Sequence, residues 1–323
     1  MSKLNLAKLN LAKLNLAKLN LSSINQRLLS FIICSLLSFS PLSLAVAEQS
    51  KDPQDATTAK KDDGASVIKK PIAITKQHKN DLKHYLPTEQ VKPLLAGPDD
   101  YITLVKPRTS SNSKGVAILI PEWQQGATNP KAIEFLRNAL PKEGWSTIAV
   151  QPNNKPENYP SNALTLEQQK EENKLLLDEY KQKLSAMHNA IMNIAKEYPG
   201  IVLVIAQGNN AAFLVDLYSQ EGSQLPNALI MLSSYRQTSQ SLINGVNTNF
   251  AQQLALTELP VLDLFLQHDN SLVLAKAEQR KSIAKQEMKV YYRQRQLNNS
   301  TTGYYPEEEL LTQINSWLKA IGW

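Results

Sequence analysis

The stretch IVLVIAQGNNAAFLVDLY, residues 201–218, decides how this chain folds. Its first six residues are apolar without polar alternation, the pattern of a strand covered on both faces. A tight turn about Gly208 follows, then a helix that carries Phe213, Leu214, Leu217 and Tyr218 at helical spacing. A strand bending directly into a helix is the unit of a parallel sheet with right-handed crossovers. It also brings the residue at the bend to the carboxyl ends of the strands, where open α/β sheets bind ligands. That residue is Gly208, which has no side chain.

Working outward, further short apolar runs occur at 101–105 (YITLV), 115–120 (GVAILI), 146–150 (STIAV), 227–233 (NALIMLS), 260–267 (PVLDLFLQ) and 289–297 (KVYYRQRQL). Helical stretches separate most of them, which predicts an α/β fold: a mostly parallel central sheet flanked by helices. The polar turn PRTSSNSK at 107–114 is expected to join the first two runs as an N-terminal antiparallel hairpin. Thr165 with Gln168 three residues on reads as a helix start. The helix then carries Leu177, Tyr180, Leu184, Met187, Ile191 and Ile194 as one apolar stripe. Pro306 and three glutamates open the last helix, which should bury Leu310, Ile314, Trp317 and Ile321.

The amino-terminal end has another character. Residues 3–22 repeat KLNLA three times and then KLNLS, and residues 28–39 form an apolar run too short for a comfortable membrane span. Ala45-Val46-Ala47 supplies a small-x-small cleavage pattern, so residues 1–47 are expected to be a repeat-extended signal peptide, cleaved after Ala47. Export to the periplasm or the outside follows, with no membrane span left after cleavage. Residues 48–70 are polar and charged and should form a disordered linker. Residues 71–98, interrupted by prolines, are expected to dock as short helices on a domain spanning 99–323.

The formal charge of +6 suggests a nucleic-acid partner until its location is considered. Lys3, Lys8, Lys13, Lys18 and Arg27 precede the first acidic residue, and without these five charges +1 remains. That leaves no electrostatic footprint for DNA or RNA. The only cysteine, Cys34, lies in the expected leader, so the mature chain has no disulfide or thiolate chemistry. The four histidines show no metal-ligand spacing, and no phosphate-binding glycine motif occurs, so no metal and no cofactor is expected.

The strand, turn and helix at 201–218 resemble the nucleophile elbow of the α/β-hydrolase fold, in which G-x-S-x-G presents a serine at a strained turn. Laid over that motif, Ala206 and Asn210 take the small-residue positions and Gly208 takes the nucleophile's. Ile120-Pro121-Glu122-Trp123 and Gly144-Trp145-Ser146-Thr147 are similar to stretches in an uncharacterised group of secreted bacterial proteins with this fold. The resemblance implies a triad acid at Asp269 and a base between 298 and 305, but that loop reads NNSTTGYY and has no histidine. His268, Ser233 and Ser234 are the weak substitutes near the same rim, His188 and Asp263 read as structural, and His78 and His84 sit in or near the linker. The expected pocket wall includes Glu122, Trp123, Gln124 and Gln125, then Gly208, Asn209 and Asn210, Ser234, Tyr235 and Arg236, and His268 with Asp269, with the amides of Asn209 and Asn210 free for an anion or a carbonyl. A small polar ligand or an envelope protein is the expected partner. Function divides between a binding or accessory protein without serine-triad catalysis and a hydrolase of esters or cell-envelope material with displaced catalytic groups.

Overall fold

The computed structural model describes residues 71–323. The expected leader at 1–47 and linker at 48–70 lie outside the described residues. The described chain begins with helix α1 (Ile74–Tyr85) and strands β1 (Val91–Ala96), β2 (Asp99–Lys106) and β3 (Gly115–Ile120). Helix α2 (Ile133–Ala139), a short 3₁₀ turn, β4 (Trp145–Val150) and α3 (Leu166–Ala195) come next. Then follow β5 (Ile201–Gln207), α4 (Gly208–Tyr218), β6 (Ala228–Leu232), α5 (Ile243–Leu256), β7 (Val261–Leu266), α6 (Ser271–Gln286), β8 (Tyr292–Leu297) and α7 (Glu307–Ala320).

The strands form one eight-stranded sheet in the order β1-β2-β4-β3-β5-β6-β7-β8. Only β2 runs against the rest, pairing antiparallel with β1 and with β4. From β4 to β8 every pairing is parallel. Successive side chains on a strand point to opposite faces, so an all-apolar strand feeds two cores at once. In β3, Val116, Ile118 and Ile120 join one core while Ala117 and Leu119 join the other. In β5, Val204 and Ala206 face the first and Leu203 and Ile205 the second.

Helix α3 covers the first core with Tyr180, Leu184, Met187 and Ile191, beside Phe213 and Leu214 of α4. Its N-cap is Thr165, whose hydroxyl accepts the Gln168 N–H. Helix α7 covers the second core with Leu310, Ile314 and Trp317. Each such side chain contributes about 1.5–3 kcal/mol by leaving water.

Two expectations are corrected. The antiparallel hairpin exists but is β1–β2, closed at Gly97-Pro98; segment 107–114 joins β2 to β3, which are not neighbours because β4 lies between them. Residues 71–98 contribute one helix and then a sheet strand, so the sheet begins at Val91, ahead of the expected boundary at 99. Pro93 lies in β1 because that strand is at the edge, where one side of the backbone has no ladder partner.

Candidate functional site

A cleft of about 300 Å³ opens at the carboxyl ends of β3, β5, β6 and β7. Gly208 forms its floor, at the corner between β5 and α4, with φ of +58°. This left-handed conformation suits a residue without Cβ. A second reason for glycine is space. A Cβ built on Gly208 would lie 1.5 Å from Oε2 of Glu122, which reaches the corner from the loop after β3.

The Glu122 carboxylate therefore fills the place where a side chain at 208 would stand. It accepts the backbone N–H of Asn209 at Oε2 and the Asn209 side-chain amide at Oε1, the latter at 3.1 Å. Burial pushes its pKa up to about 7, against the amides of Asn209 and Trp123 that favour the charged form. The same burial, with the Glu122 charge nearby, raises the phenols of Tyr180 and Tyr235.

Across the cleft, Ser233 directly follows β6 with φ of +48°, an uncommon conformation for a residue with a side chain. Its hydroxyl donates to Asp269 Oδ2 at 2.6 Å and lies 2.6 Å from the Tyr305 hydroxyl. Asp269 is engaged further: Oδ2 accepts the Leu266 N–H and Oδ1 the Asn270 N–H. Gln124, Gln125, Gln207, Lys131 and Thr302 complete the wall with amides, one ammonium and a hydroxyl. No histidine is among the lining residues.

The structure thus brings Glu122, Gln124, Gly208, Ser233, Tyr235 and Asp269 to one cleft and keeps other candidates away. Trp123 is 2% exposed and packs edge-on against Tyr159 and Tyr180, so it belongs to the core. Asn210 is buried, accepting the Tyr180 hydroxyl and donating to the Pro121 carbonyl. Asn209 is buried too, and its amide N–H, expected to be free for an anion, is taken by Glu122. Ser234 is fully buried, and Arg236 is held against Asp216. His268 is exposed, its ring nitrogen Nδ1 at 2.7 Å from the Asn299 carbonyl. His188 is buried against the Tyr218 hydroxyl, and Asp263 accepts from Arg280, Tyr292 and Gln294 inside the fold.

A triad reaction needs a nucleophile, an imidazole and an orienting carboxylate in line. Here a carboxylate fills the Gly208 corner, and Ser233, the one serine among the cleft-lining residues, bonds directly to Asp269 with no imidazole between them. Among the described residues no cluster of His, Cys, Asp and Glu could hold a metal ion. A larger cavity of about 430 Å³ lies beside α1, lined by His78, Leu82, Tyr85 and Leu86. Asp81, Thr128 and Glu134 also line it, and the His78 ring lies 3.4 Å from the Gln151 amide. What sequence reasoning missed was the entry of Glu122 into the Gly208 corner, and Lys131 and Tyr305. No motif marked them; they meet the rim only through the folded loops.

The chain belongs to the family described as protein of unknown function (DUF3530), whose model matches residues 29–320. No curated protein matches the chain in sequence. Among solved structures, Est1E from Butyrivibrio proteoclasticus with ferulic acid bound is similar, with a TM-score of 0.51 at 10% identity, covering 71% of this chain and 98% of that one. A second structure of Est1E gives a TM-score of 0.50 at 10% identity, covering 72% and 98%. An alpha-beta serine hydrolase homologue from Coxiella burnetii gives 0.47 at 12% identity, covering 74% and 100%. At such identities the likeness shows the fold alone, and the fold is that of the α/β hydrolases.

Proposed function

We propose that this DUF3530 protein is an exported α/β-hydrolase-fold protein without serine-triad catalysis, acting as a binding or accessory protein of the cell envelope. One observation carries the reading: the Glu122 carboxylate stands where a nucleophile on residue 208 would begin. In the hydrolase fold the amide of the residue after the nucleophile stabilises the developing oxyanion. Here the corresponding Asn209 N–H is taken by that same carboxylate. A site missing both nucleophile and base retains at most about 10³–10⁴-fold catalysis over water. What supports binding instead is a preformed polar cleft with amides, hydroxyls and charges converging on it.

The test is covalent. A fluorophosphonate probe should leave the purified protein unlabelled, and labelling of Ser233 would reverse the reading. Export is tested separately: the periplasmic form should begin at Glu48, after the leader has been removed.

One observation favours a second reading, a hydrolase with displaced groups: Ser233 faces the cleft on a left-handed backbone with Asp269 at 2.6 Å. Turnover of short p-nitrophenyl esters that disappears on Ser233→Ala would support it.

A further inference from the structure

Glu122 is 8% exposed and is in none of the ion pairs among the described residues. Its oxygens are held by the Asn209 N–H and amide, which are dipoles and bring no compensating charge. The groups facing it are Tyr180 from α3, Tyr235 from the segment after β6, and Asn209 from α4. None of them is a cation. Across the cleft stand Asp269, a second acid, and Lys131, the one ammonium in the lining. Lys131 packs toward the Gly303 backbone and is in none of the ion pairs among the described residues, including with Glu122.

A buried charge without a counter-charge is costly, and an incoming cation relieves it. The lining also holds the amides of Gln124, Gln125, Gln207 and Asn270 and the hydroxyls of Tyr235 and Thr302; the Gln125 and Gln207 oxygens accept from Asn129 while their amino groups remain as donors. Such walls suit a hydroxylated body better than an apolar one. The geometry points to a specific ligand class: the cleft at Gly208 binds a polyhydroxylated molecule bearing a primary amine, with the ammonium on the Glu122 carboxylate and the hydroxyls on the surrounding amides. This deepens the binding function proposed above and rests on it.

The probe is glucamine (1-amino-1-deoxysorbitol), compared with sorbitol, which carries a hydroxyl in place of the ammonium. Isothermal titration of the purified protein should show glucamine binding at least about tenfold more tightly than sorbitol at pH 8. Since Glu122 holds its proton up to about pH 7, that preference should shrink by about tenfold at pH 6, with a proton released on binding. Glu122→Gln should abolish the preference. Lys131→Gln, on a part-exposed residue that leaves the fold intact, should tighten glucamine alone, and it decides the matter should the first variant fail to fold. Equal affinity for the two compounds, binding of neither, or a preference that survives in Glu122→Gln overturns the assignment. None of these outcomes changes fluorophosphonate labelling, so a wrong ligand class and a wrong functional reading give different results.

Discussion

Glu122 and Gly208 exclude one another: the space a Cβ on residue 208 would take is occupied by the Glu122 carboxylate at 1.5 Å. A serine at this position therefore has to compete with Glu122 for the same space. Gly208→Ser must displace a buried acid and place a side chain at φ of +58°, which together should cost about 2–4 kcal/mol. For a domain of this size that lowers Tm by roughly 5–15 °C. Adding Glu122→Ala should recover part of the loss by vacating the space. Neither variant should turn over p-nitrophenyl acetate above the wild-type background, because no imidazole lines the cleft. Thermal melts and an ester assay check both halves, and a turning-over double variant would show that a base is in reach.

The rim serine gives a second expectation. Asp269 accepts the Ser233 hydroxyl and two backbone N–H groups. Asp269→Ala leaves these donors without their partner and should cost about 2 kcal/mol. Ser233→Gly releases the left-handed strain of a side chain at φ of +48° while losing its hydrogen bonds. The two effects are each about 1 kcal/mol and opposed, so its stability should lie within about 1 kcal/mol of wild type. Urea unfolding of the two variants distinguishes them. A large loss in Ser233→Gly would mean the hydroxyl contributes more than its two contacts.

A third expectation concerns the interior. Asp263 is fully buried in β7 and its partner Arg280 is 1% exposed, the guanidinium Nε at 2.9 Å. Asp263→Ala strands a buried guanidinium and should cost about 3–5 kcal/mol. Denaturant midpoints with an unchanged slope would confirm that the loss is in stability alone.

These predictions draw unevenly on what the sequence makes legible. Parallel strands buried on both faces are written as unbroken apolar runs, which is why GVAILI coincides with β3, Gly115–Ile120. The cap at Thr165 is local and equally readable. Strand pairing is not local: nothing in YITLV or GVAILI announces that β4 will insert between them. Strand β1 is hidden by Pro93, which only an edge position tolerates. The corner at Gly208 is legible because glycine has a backbone reason to be there. Glu122 is not, since its contact with Asn209 spans 87 positions and no spacing rule reaches that far.

The last prediction joins two buried titrating groups on opposite sides of the balance. Glu122 has a folded pKa of about 7, above its ordinary 4.5, so between these values the folded state binds more protons than the unfolded chain. Its contribution to stability therefore falls as pH rises through that window. His188, buried beside Tyr218, has its pKa pushed down by burial to about 4 from 6.5. Here the unfolded chain binds more protons, so the contribution rises with pH from about 4 to 6.5. Each tenfold in proton affinity is worth about 1.4 kcal/mol, so each group swings stability by about 3 kcal/mol. Between pH 4.5 and 6.5 the two slopes oppose and nearly cancel. Above 6.5 only the Glu122 decline persists, ending near pH 7. Glu122→Gln should therefore gain about 1–2 kcal/mol at pH 8, the relief from charge burial less one lost hydrogen bond. It should also become steeply acid-labile between pH 6.5 and 4.5, as the His188 term stands unopposed. His188→Gln should do the reverse, growing more stable relative to its own neutral-pH value as pH falls. Urea midpoints for the three proteins from pH 4.5 to 8 check the signs. Parallel curves would mean that at least one of these side chains keeps its ordinary proton affinity in the fold.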